Sequence, residues 1–571
     1  MKEWRLAEQA PEDFAKRFSE HDPLIIQLLY NRKFENPNAL DLFFNPDFEK
    51  LHDPFLFQDM EKACRRVWRA IENKEKVLIH GDYDADGVTS AAILYKAFQA
   101  FGLETNVFIP HRENDGYGLN MKNAQKFIDQ GINLLITVDC GITNIEEVEL
   151  LNKNKVDVII TDHHEPLEKL PQSLAILDPK VTDDNYPFSG ISGAGVAYKL
   201  VQALFTDSRI ENYKKNLEDF GGAEGFQKWI LDIVAIGIVA DVSPLLDENR
   251  ILVKWGLVVL EKTRNLGLKK LLEVISVKKI SNQTIGFQIA PRLNAAGRME
   301  HAGSAFELLI TNDLEKAEQL ANQLNQYNKE RQRVTEQIVQ QAKEQIDKDQ
   351  TMHFAYHEEW TAGVVGLVAG KLCDELYRPV CVMTKVNGMI VGSGRSIEGF
   401  NITKSLSLAE ENLARFGGHT QACGFTLRSD EHVSKFREIM LEQAEKELGK
   451  IDLNPFITID AEVELKNVNL NLLEELDKFE PYGEANPKPL FLLKNLFVAA
   501  LDYLGENNQH LRLMIKQAEN PKLYKMLCFW GAEKWQDLAI GSRIDAVCEL
   551  GINEWNGNRE VELKIIDLKI K

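Results

Sequence analysis

The chain has 571 residues, 44% of them hydrophobic, which is enough for several cores, so three or four domains are expected. Its formal net charge of −20 excludes a protein that is basic over its whole surface, but not one with a local line of Lys and Arg. Seven cysteines without a CxxC pair argue against a disulfide framework or a zinc ribbon. The N-terminus does not resemble a signal sequence and no long uncharged apolar run follows, so we expect a cytoplasmic protein without membrane contact.

Changes of pattern along the chain predict a multidomain α/β fold. Strand-like runs alternate with helical stretches before residue 305, as in a parallel sheet, and a polar helical stretch then runs from Asp313 to about Asp349. This helix either bridges two domains or packs lengthwise on one of them. The predicted segments are an N-terminal lead-in at 1–50, a parallel-sheet domain at 51–305, a connecting helix at 306–350, a second α/β domain at 351–448 and a β-rich domain at 449–571.

The first chemical signal along the chain is a group of three aspartates at alternate positions. Asp82, Asp84 and Asp86 follow the apolar run Val77–His80 and precede a helical stretch that begins with Gly87. A strand that ends in carboxylates and turns into a helix places hard oxygen ligands at the carboxyl edge of a sheet, where open α/β folds bind their ligands. Such a cluster repels itself unless cations neutralise it.

Three further apolar runs end in acidic residues or histidines. They are Leu134–Val138 before Asp139, residues 156–161 before Asp162, His163 and His164, and Leu231–Ala240 before Asp241. A single aspartate at a strand end is about as often a helix cap or turn former as a ligand. The four elements together favour a shared site, because mixed carboxylate and imidazole ligands suit Mn²⁺ or Mg²⁺. Two such ions promote phosphoester hydrolysis.

In their order along the chain, these motifs resemble those of the DHH phosphoesterase superfamily. The resemblance implies that the metal ligands are Asp84, Asp86, Asp139, His163 and Asp241, with His80 for a second ion and Asp82 as an additional carboxylate. It also implies that His164 faces the phosphate as a hydrogen-bond or proton donor, so the expected catalytic residues are His164, Asp84 and Asp139.

Motifs farther along the chain resemble one particular family within this superfamily. Residues 392–400 and 416–425 are similar to the DHHA1 domain, and residues 186–196 and 290–299 are similar to the RecJ family, bacterial exonucleases that degrade single-stranded DNA from its 5′ end. The resemblance implies a pocket for the 5′-terminal phosphate made by Arg112, Ser393 and Arg395, although Gly and Ser in such a turn can serve the turn alone. The other implied substrate contacts are Arg298, Gly417, Gly418 and His419.

The last segment is similar to the OB-fold of RecJ proteins, a five-stranded barrel that commonly binds oligonucleotides. Candidate contacts there, each individually more often core or rim, are His510, Arg512, Lys516, Trp530 and Trp555. His301 either caps the next helix or touches DNA.

Three functions remain open. The leading one is a 5′ to 3′ exonuclease that hydrolyses single-stranded DNA to mononucleotides with two Mn²⁺ or Mg²⁺ ions, in DNA repair and recombination. The alternatives are a hydrolase of short oligoribonucleotides, cyclic dinucleotides or pyrophosphate, and a catalytically inactive DNA-binding scaffold. Intact ligand positions disfavour the scaffold, because a buried acid cluster is costly to keep. Expected partners are single-stranded DNA, a single-strand-binding protein and a helicase, and the expected state is a monomer.

Overall fold

The structure is a computed structural model that describes residues 2–34, 37–112, 115–116, 118–450, 453–517, 520–555 and 557–571. The chain forms two compact units. One contains residues 1–50, 244–251 and 455–571, and the other contains residues 51–243 and 252–454. Among the described residues, no helix is both long enough and apolar enough to cross a membrane.

The lead-in belongs to the first unit, and its described residues form one strand and three α-helices, followed by a short 3-10 helix at Phe48–Lys50. Leu28 and Leu29 of its second helix are buried, since they lie one turn apart from other apolar residues on the same helix face. The elements are β1 (Glu3–Leu6), α1 (Glu12–Arg17), α2 (Pro23–Asn31) and α3 (Pro37–Phe44).

The second unit starts with the predicted parallel sheet. Its strands are β2 (Val77–His80), β3 (Thr105–Phe108), β4 (Leu134–Val138), β5 (Asp157–Thr161) and β6 (Ala175–Leu177). The helices of this region are α4 (Met60–Asn73), α5 (Ala85–Ala100), α6 (Met121–Asp129), α7 (Ile145–Lys153), α8 (Gly193–Phe205), α9 (Lys214–Leu217), α10 (Gly222–Trp229), α11 (Leu231–Ala240), α12 (Asp247–Glu261), α13 (Leu266–Val274), α14 (Asn282–Thr284), α15 (Ala290–Met299) and α16 (Gly303–Ile310).

The strand order of this sheet fixes the position of the site. All five strands are parallel and run in the order β3-β2-β4-β5-β6. The chain leaves β2 toward β3 on one side and returns to β4 on the other, so a topological switch point lies between β2 and β4. In open α/β sheets, ligands bind at the carboxyl ends of the strands at this point.

A second sheet domain follows the long helix. The elements are α17 (Leu314–Lys343), β7 (His353–Tyr356), α18 (Ala362–Leu376), β8 (Val380–Val386), β9 (Met389–Arg395), α19 (Ile402–Leu408), β10 (Leu413–His419), β11 (Ala422–Leu427) and α20 (His432–Leu448). The strand order is β10-β11-β9-β8-β7, with only β7 and β8 parallel. α17 packs against α13 and α15 with its first half, and its Ile338 and Val339 enter the core of the second sheet domain. It therefore contacts both sheet domains along its length.

The C-terminal elements form a barrel in the first unit. They are β12 (Phe456–Ile459), β13 (Ala461–Glu462), α21 (Leu470–Asp477), β14 (Phe491–Leu504), β15 (His510–Gln517), β16 (Asn520–Cys528), β17 (Arg543–Trp555) and β18 (Asn558–Ile570). Pairing of β14 with both β15 and β17 closes five strands into a ring. β1 pairs in parallel with β12, and Phe14 and Phe18 of the lead-in share one core with barrel residues such as Leu511. The predicted fold class is confirmed: a parallel-sheet domain, a second α/β domain and a C-terminal barrel.

Candidate active site

Carboxylates that follow β2 and β4 and histidines that follow β5 meet at the topological switch point. Three sets of side chains each bring one possible ligand atom per residue within 4.8 Å of the others. The sets are Asp82 with Asp84 and Asp139, Asp86 with His163 and Asp241, and Asp139 with both His163 and His164. We call the residues of these three sets the acid cluster. The structure thus brings together every predicted metal ligand except His80.

Asp86 is fixed by backbone groups from a distant part of the chain. Its two carboxylate oxygens accept hydrogen bonds from the N–H groups of Gly193 and Ala194, at 2.8 and 3.0 Å, at the N-terminus of α8. A Cβ at Gly237 of α11 would lie 2.6 Å from Asp86 Oδ1, and one at Gly193 would lie 2.9 Å from Asp86 Oδ2. A side chain at Gly193 or Gly237 would therefore crowd the Asp86 carboxylate, which explains the glycine directly after Ser192.

Asp84 begins α5 as its N-cap. Its Oδ1 accepts the N–H groups of Asp86 and Gly87, at 2.9 and 3.1 Å, so the carboxylate satisfies two donors at the helix end. A third donor at this helix end, the N–H of Ala85, donates to Oδ1 of Asn294 in α15 at 2.8 Å. Asp139 has a φ of 57°, a left-handed conformation that Asp tolerates better than most residues. No local sequence pattern predicts the contact from Asn294, which lies in the segment at 290–299.

The acid cluster is electrostatically unfavourable without cations. Burial, reinforced by the neighbouring carboxylates, raises the pKa values of Asp82, Asp86 and Asp139 well above their usual range. Burial also raises the pKa of Asp241 to about 6. The hydrogen bond that Ser243 donates to this carboxylate at 2.5 Å lowers the pKa, but by less than burial raises it. Bound cations reverse this balance and keep all four carboxylates ionised.

Two buried polar atoms beside the cluster make no hydrogen bond to any described residue: His80 Nε2 and Asp82 Oδ1. Burial lowers the pKa of His80 to about 4, which keeps its imidazole neutral and able to ligate, and its Nδ1 lies 3.7 Å from Cys140 Sγ. His80 belongs to none of the three sets, but its unused nitrogen fits a ligand role. The donor set of carboxylates and neutral imidazoles therefore fits Mn²⁺ or Mg²⁺.

The adjacent histidines His163 and His164 have opposite charge states. His163 Nε2 lies 3.0 Å from Asp139 Oδ1, and burial lowers the pKa of His163 to about 3. His164 Nδ1 lies 2.7 Å from Asp162 Oδ1. Burial acts against protonation of His164, but the hydrogen bond and charge of Asp162, with Asp241 beyond it, raise its pKa to about 9. An imidazole that favours the neutral form and one that favours the protonated form therefore stand side by side.

Four arginines lie near one another in the unit that also holds these carboxylates. Burial lowers the pKa of Arg298 to about 9, with further lowering from Arg112, Arg331 and Arg395, so these cations lie within electrostatic reach of one another. Arg112 stacks 4.7 Å above the Tyr83 ring. We call Arg112, Arg298, Arg331 and Arg395 the arginine cluster.

Arg395 is positioned by its own strand. Its Nη1 donates to Ser393 Oγ at 3.0 Å and to the Gly394 carbonyl at 2.9 Å, while Ser393 Oγ donates to the Cys423 carbonyl. A Cβ at Gly366 of α18 would lie 3.1 Å from Ser393 Oγ and 3.3 Å from Arg395 Nη2. Gly366 therefore leaves space for both side chains, which sequence reasoning did not identify.

The remaining predicted contacts occupy varied positions. Gly417, Gly418 and His419 are exposed at the end of β10, and the charge of His419 reaches His163. His301 caps α16, because its Nδ1 accepts the Gly303 N–H at 2.9 Å. Sequence reasoning also missed Arg331, which α17 directs toward Arg298.

On the barrel, Trp530 is 72% exposed and its ring lies 4.9 Å from that of His510. Arg512 is paired with Asp502 at 3.0 Å, and Lys516 lies over the Phe497 ring. The side chain of Trp555 lies outside the described residues.

Known proteins share this arrangement of domains. Three family models match in turn: the DHH family N-terminal domain at residues 76–238, the DHHA1 domain at 349–446 and the RecJ OB domain at 459–567. The chain is 37% identical over 555 residues to the single-stranded-DNA-specific exonuclease RecJ of Bacillus subtilis, covering 96% of this chain and 68% of that protein. The chain belongs to the RecJ family.

Solved RecJ structures agree with this assignment. The crystal structure of RecJ in complex with Mn²⁺ from Thermus thermophilus matches with a TM-score of 0.81 and 30% identity, covering 99% of this chain and 79% of that one. The Mg²⁺ complex from the same organism matches with a TM-score of 0.75 and 28% identity, covering 99% of this chain and 78% of that one. The resemblance drawn from the motifs is confirmed.

Proposed function

We propose that this RecJ-family chain is a metal-dependent exonuclease that hydrolyses single-stranded DNA from its 5′ end to mononucleotides, in DNA repair and recombination. The observation that carries the proposal is the pairing of a buried acid cluster with an arginine cluster in one compact unit. The first has the ligands for divalent cations, and the second has the donors for a terminal phosphate.

The acid cluster would hold two ions, Mn²⁺ or Mg²⁺. When bound, the ions lower the pKa of water and neutralise charge that develops on the phosphodiester. The proposed ligands are His80, Asp82, Asp84, Asp86, Asp139, His163 and Asp241. The N–H groups of Gly193 and Ala194 hold Asp86 in place before any ion arrives, which reduces the reorganisation that binding requires.

His164 would act on the substrate rather than on a metal. Its Nδ1 is engaged by Asp162, so the proton that it can present to a phosphate oxygen or leaving group lies on Nε2. Asp162 also accepts the N–H of Ile142 at 3.0 Å, which fixes the carboxylate and through it the imidazole ring. Asp162 is therefore a positioning residue.

The 5′-terminal phosphate would be held by Arg112, Ser393 and Arg395. A guanidinium offers planar paired donors to phosphate, and Arg395 is already oriented by Ser393. Arg298 would contact the backbone next to the reacting phosphate, because its charge also reaches Asp84. Gly417, Gly418 and His419 would line the approach at the exposed end of β10.

Several finer features remain proposals. We infer the domain limits 1–50, 51–305, 306–350, 351–448 and 449–571, a monomeric state and a cytoplasmic location beside DNA. A single-strand-binding protein and a helicase would supply the substrate, since a duplex offers no free single strand.

Digestion of end-labelled DNA tests the proposal. Single-stranded, blunt duplex and 5′-tailed duplex DNA are incubated with Mn²⁺ or Mg²⁺, and the products are resolved over time. We expect mononucleotides released in order from the 5′ end of single strands and tails only. Release from the 3′ end contradicts the polarity. Cleavage of dinucleotides or pyrophosphate alone identifies a small-substrate hydrolase, and complete inactivity with retained binding identifies a scaffold.

A further inference from the structure

A second cavity lies in the unit that holds the acid cluster, at the other ends of two of its helices. The cavity measures about 350 Å³ and is lined by Lys96 near the end of α5 and Asp232 near the start of α11. α5 carries Asp86 in its first turn, and Asp241 follows the last residue of α11. At 1.5 Å per residue, each helix separates the cavity from the acid cluster by about 15 Å. The cavity is therefore distinct from the catalytic cleft.

Part of the wall of this cavity is aromatic. Tyr95, Phe220, Phe226 and Trp229 are among its lining residues, but Phe226 is buried and stacked on Phe205, so the partly exposed rings are those of Tyr95, Phe220 and Trp229. The Arg264 guanidinium lies 4.0 Å above the Trp229 ring and donates to the Asp219 carbonyl at 2.7 Å, so it covers one face of that ring. Flat aromatic surfaces of this kind stack nucleobases of any sequence.

The two charged side chains at the helix ends, Asp232 and Lys96, differ in their hydrogen-bond partners. Both oxygens of Asp232 are used, since Oδ1 accepts the Ile233 N–H at 2.8 Å and Oδ2 accepts the Thr263 hydroxyl at 2.5 Å. The Lys96 ammonium makes no hydrogen bond or ion pair with any described residue, although it has three donors and lies in the cavity. Burial lowers the pKa of Lys96, while the charge of Asp232 acts against this. Its hydrogen-bond acceptors are therefore water or a bound anion, which leaves the ammonium available to a ligand in the cavity.

We propose that this cavity is a second ligand site that binds a nucleoside monophosphate, with the base against the aromatic walls and the phosphate on the Lys96 ammonium. The volume lies at the lower end of the range for small-molecule sites. Two cationic side chains, Lys96 and Arg264, line the cavity with one carboxylate, Asp232, so the cavity favours an anionic ligand. The inference rests on this cavity alone and does not depend on the hydrolytic reaction.

Equilibrium dialysis of the full chain against radiolabelled dAMP tests the proposal. EDTA is present throughout, so that no divalent ion holds phosphate in the catalytic cleft. All variants are made in an Arg395→Ala background, which removes the proposed phosphate pocket of the catalytic cleft as a second place for dAMP. In that background we expect one dAMP site whose affinity falls at least tenfold when Lys96→Met or Trp229→Leu is added, and is recovered when Lys96→Arg replaces Lys96→Met. Thermal unfolding verifies that each variant folds, and either cavity variant suffices for the test.

Two competitors define the ligand class. Unlabelled deoxyadenosine and inorganic phosphate should each displace labelled dAMP at least tenfold less well than unlabelled dAMP. Equal competition by phosphate overturns the nucleotide assignment. The site itself is overturned if dAMP at millimolar concentration does not bind the Arg395→Ala protein, or if its binding is unchanged when either cavity substitution is added.

Discussion

The carboxylates of the acid cluster and the guanidinium groups of the arginine cluster each bring like charges together, but the chain supports the two groups differently. Backbone N–H groups and closely packed glycines hold Asp86, and Asp84 caps a buried helix. Arg395 instead relies on one serine hydroxyl and a carbonyl, and Arg112 on the face of Tyr83. Long side chains on such supports retain more freedom than carboxylates fixed by backbone donors.

We infer separate tasks for the two clusters from this difference. Two-metal chemistry requires ligands held within a fraction of an ångström, which suits the rigidly held carboxylates of the acid cluster. Recognition of a chain end tolerates small adjustments, which suits the side chains of the arginine cluster. Changes in the first cluster should therefore remove turnover, whereas changes in the second should alter the choice of end.

The largest effect is expected from Asp139→Ala. Asp139 belongs to two of the three ligand sets, so its loss should abolish hydrolysis while the fold and DNA binding persist. A chelator should reproduce the loss in the wild type. The measurement is nucleotide release from labelled single strands, with the exposed Asp183→Ala as the matched control. Near-normal turnover by Asp139→Ala would show that Asp139 is not an essential metal ligand.

His164→Ala should lower turnover by roughly 10²–10⁴, because it removes a general acid while leaving the ligands intact. Metal affinity, measured by calorimetry with Mn²⁺, should change little. The exposed His357→Ala serves as control. An equal loss of Mn²⁺ binding would instead make His164 a ligand, in keeping with its place in a set with Asp139 and His163.

Arg395→Ala should weaken the preference for 5′-phosphorylated over 5′-hydroxyl ends by roughly ten- to a hundredfold, since a charge-assisted contact contributes about 1.5–3 kcal/mol. The ratio of kcat/KM for the two end types is the readout, and the exposed Arg428→Ala is the control. If the ratio does not change, the phosphate pocket lies elsewhere and the turn at 392–396 is only structural.

The smallest effect concerns the packing behind the acid cluster. Gly237→Ala places a methyl group 2.6 Å from Asp86 Oδ1 and should destabilise the fold by about 1–3 kcal/mol, seen as a fall of several degrees in Tm. Gly370→Ala is the matched helical control, since nothing lies within 4 Å of its added Cβ, and it should raise stability by up to about 1 kcal/mol. Equal Tm values for the two variants would show that the residues around Asp86 can shift to accommodate the added methyl group at little cost in stability.

The strands and the acidic turns that follow them could be predicted from local sequence. The predicted strands Val77–His80 and Leu134–Val138 match β2 and β4. Burial on both faces gives such strands a continuous apolar run, which is a local signal. The support of the site could not be predicted in this way. Asn294 reaches Ala85 from 209 positions away, and β1 pairs with β12 from opposite ends of the chain. Such contacts depend on how elements pack, not on the residues next to them.

Anomalous diffraction from crystals of the full chain grown with Mn²⁺ tests the central claim most directly. The account predicts two Mn²⁺ peaks, bounded by Asp84, Asp86, Asp139, His163 and Asp241, with His80 Nε2 and Asp82 turned toward them. It also predicts that both peaks disappear in Asp139→Ala crystals or fall to a single weak one. Strong Mn²⁺ peaks that lie away from these side chains, or two full peaks retained without Asp139, would contradict it.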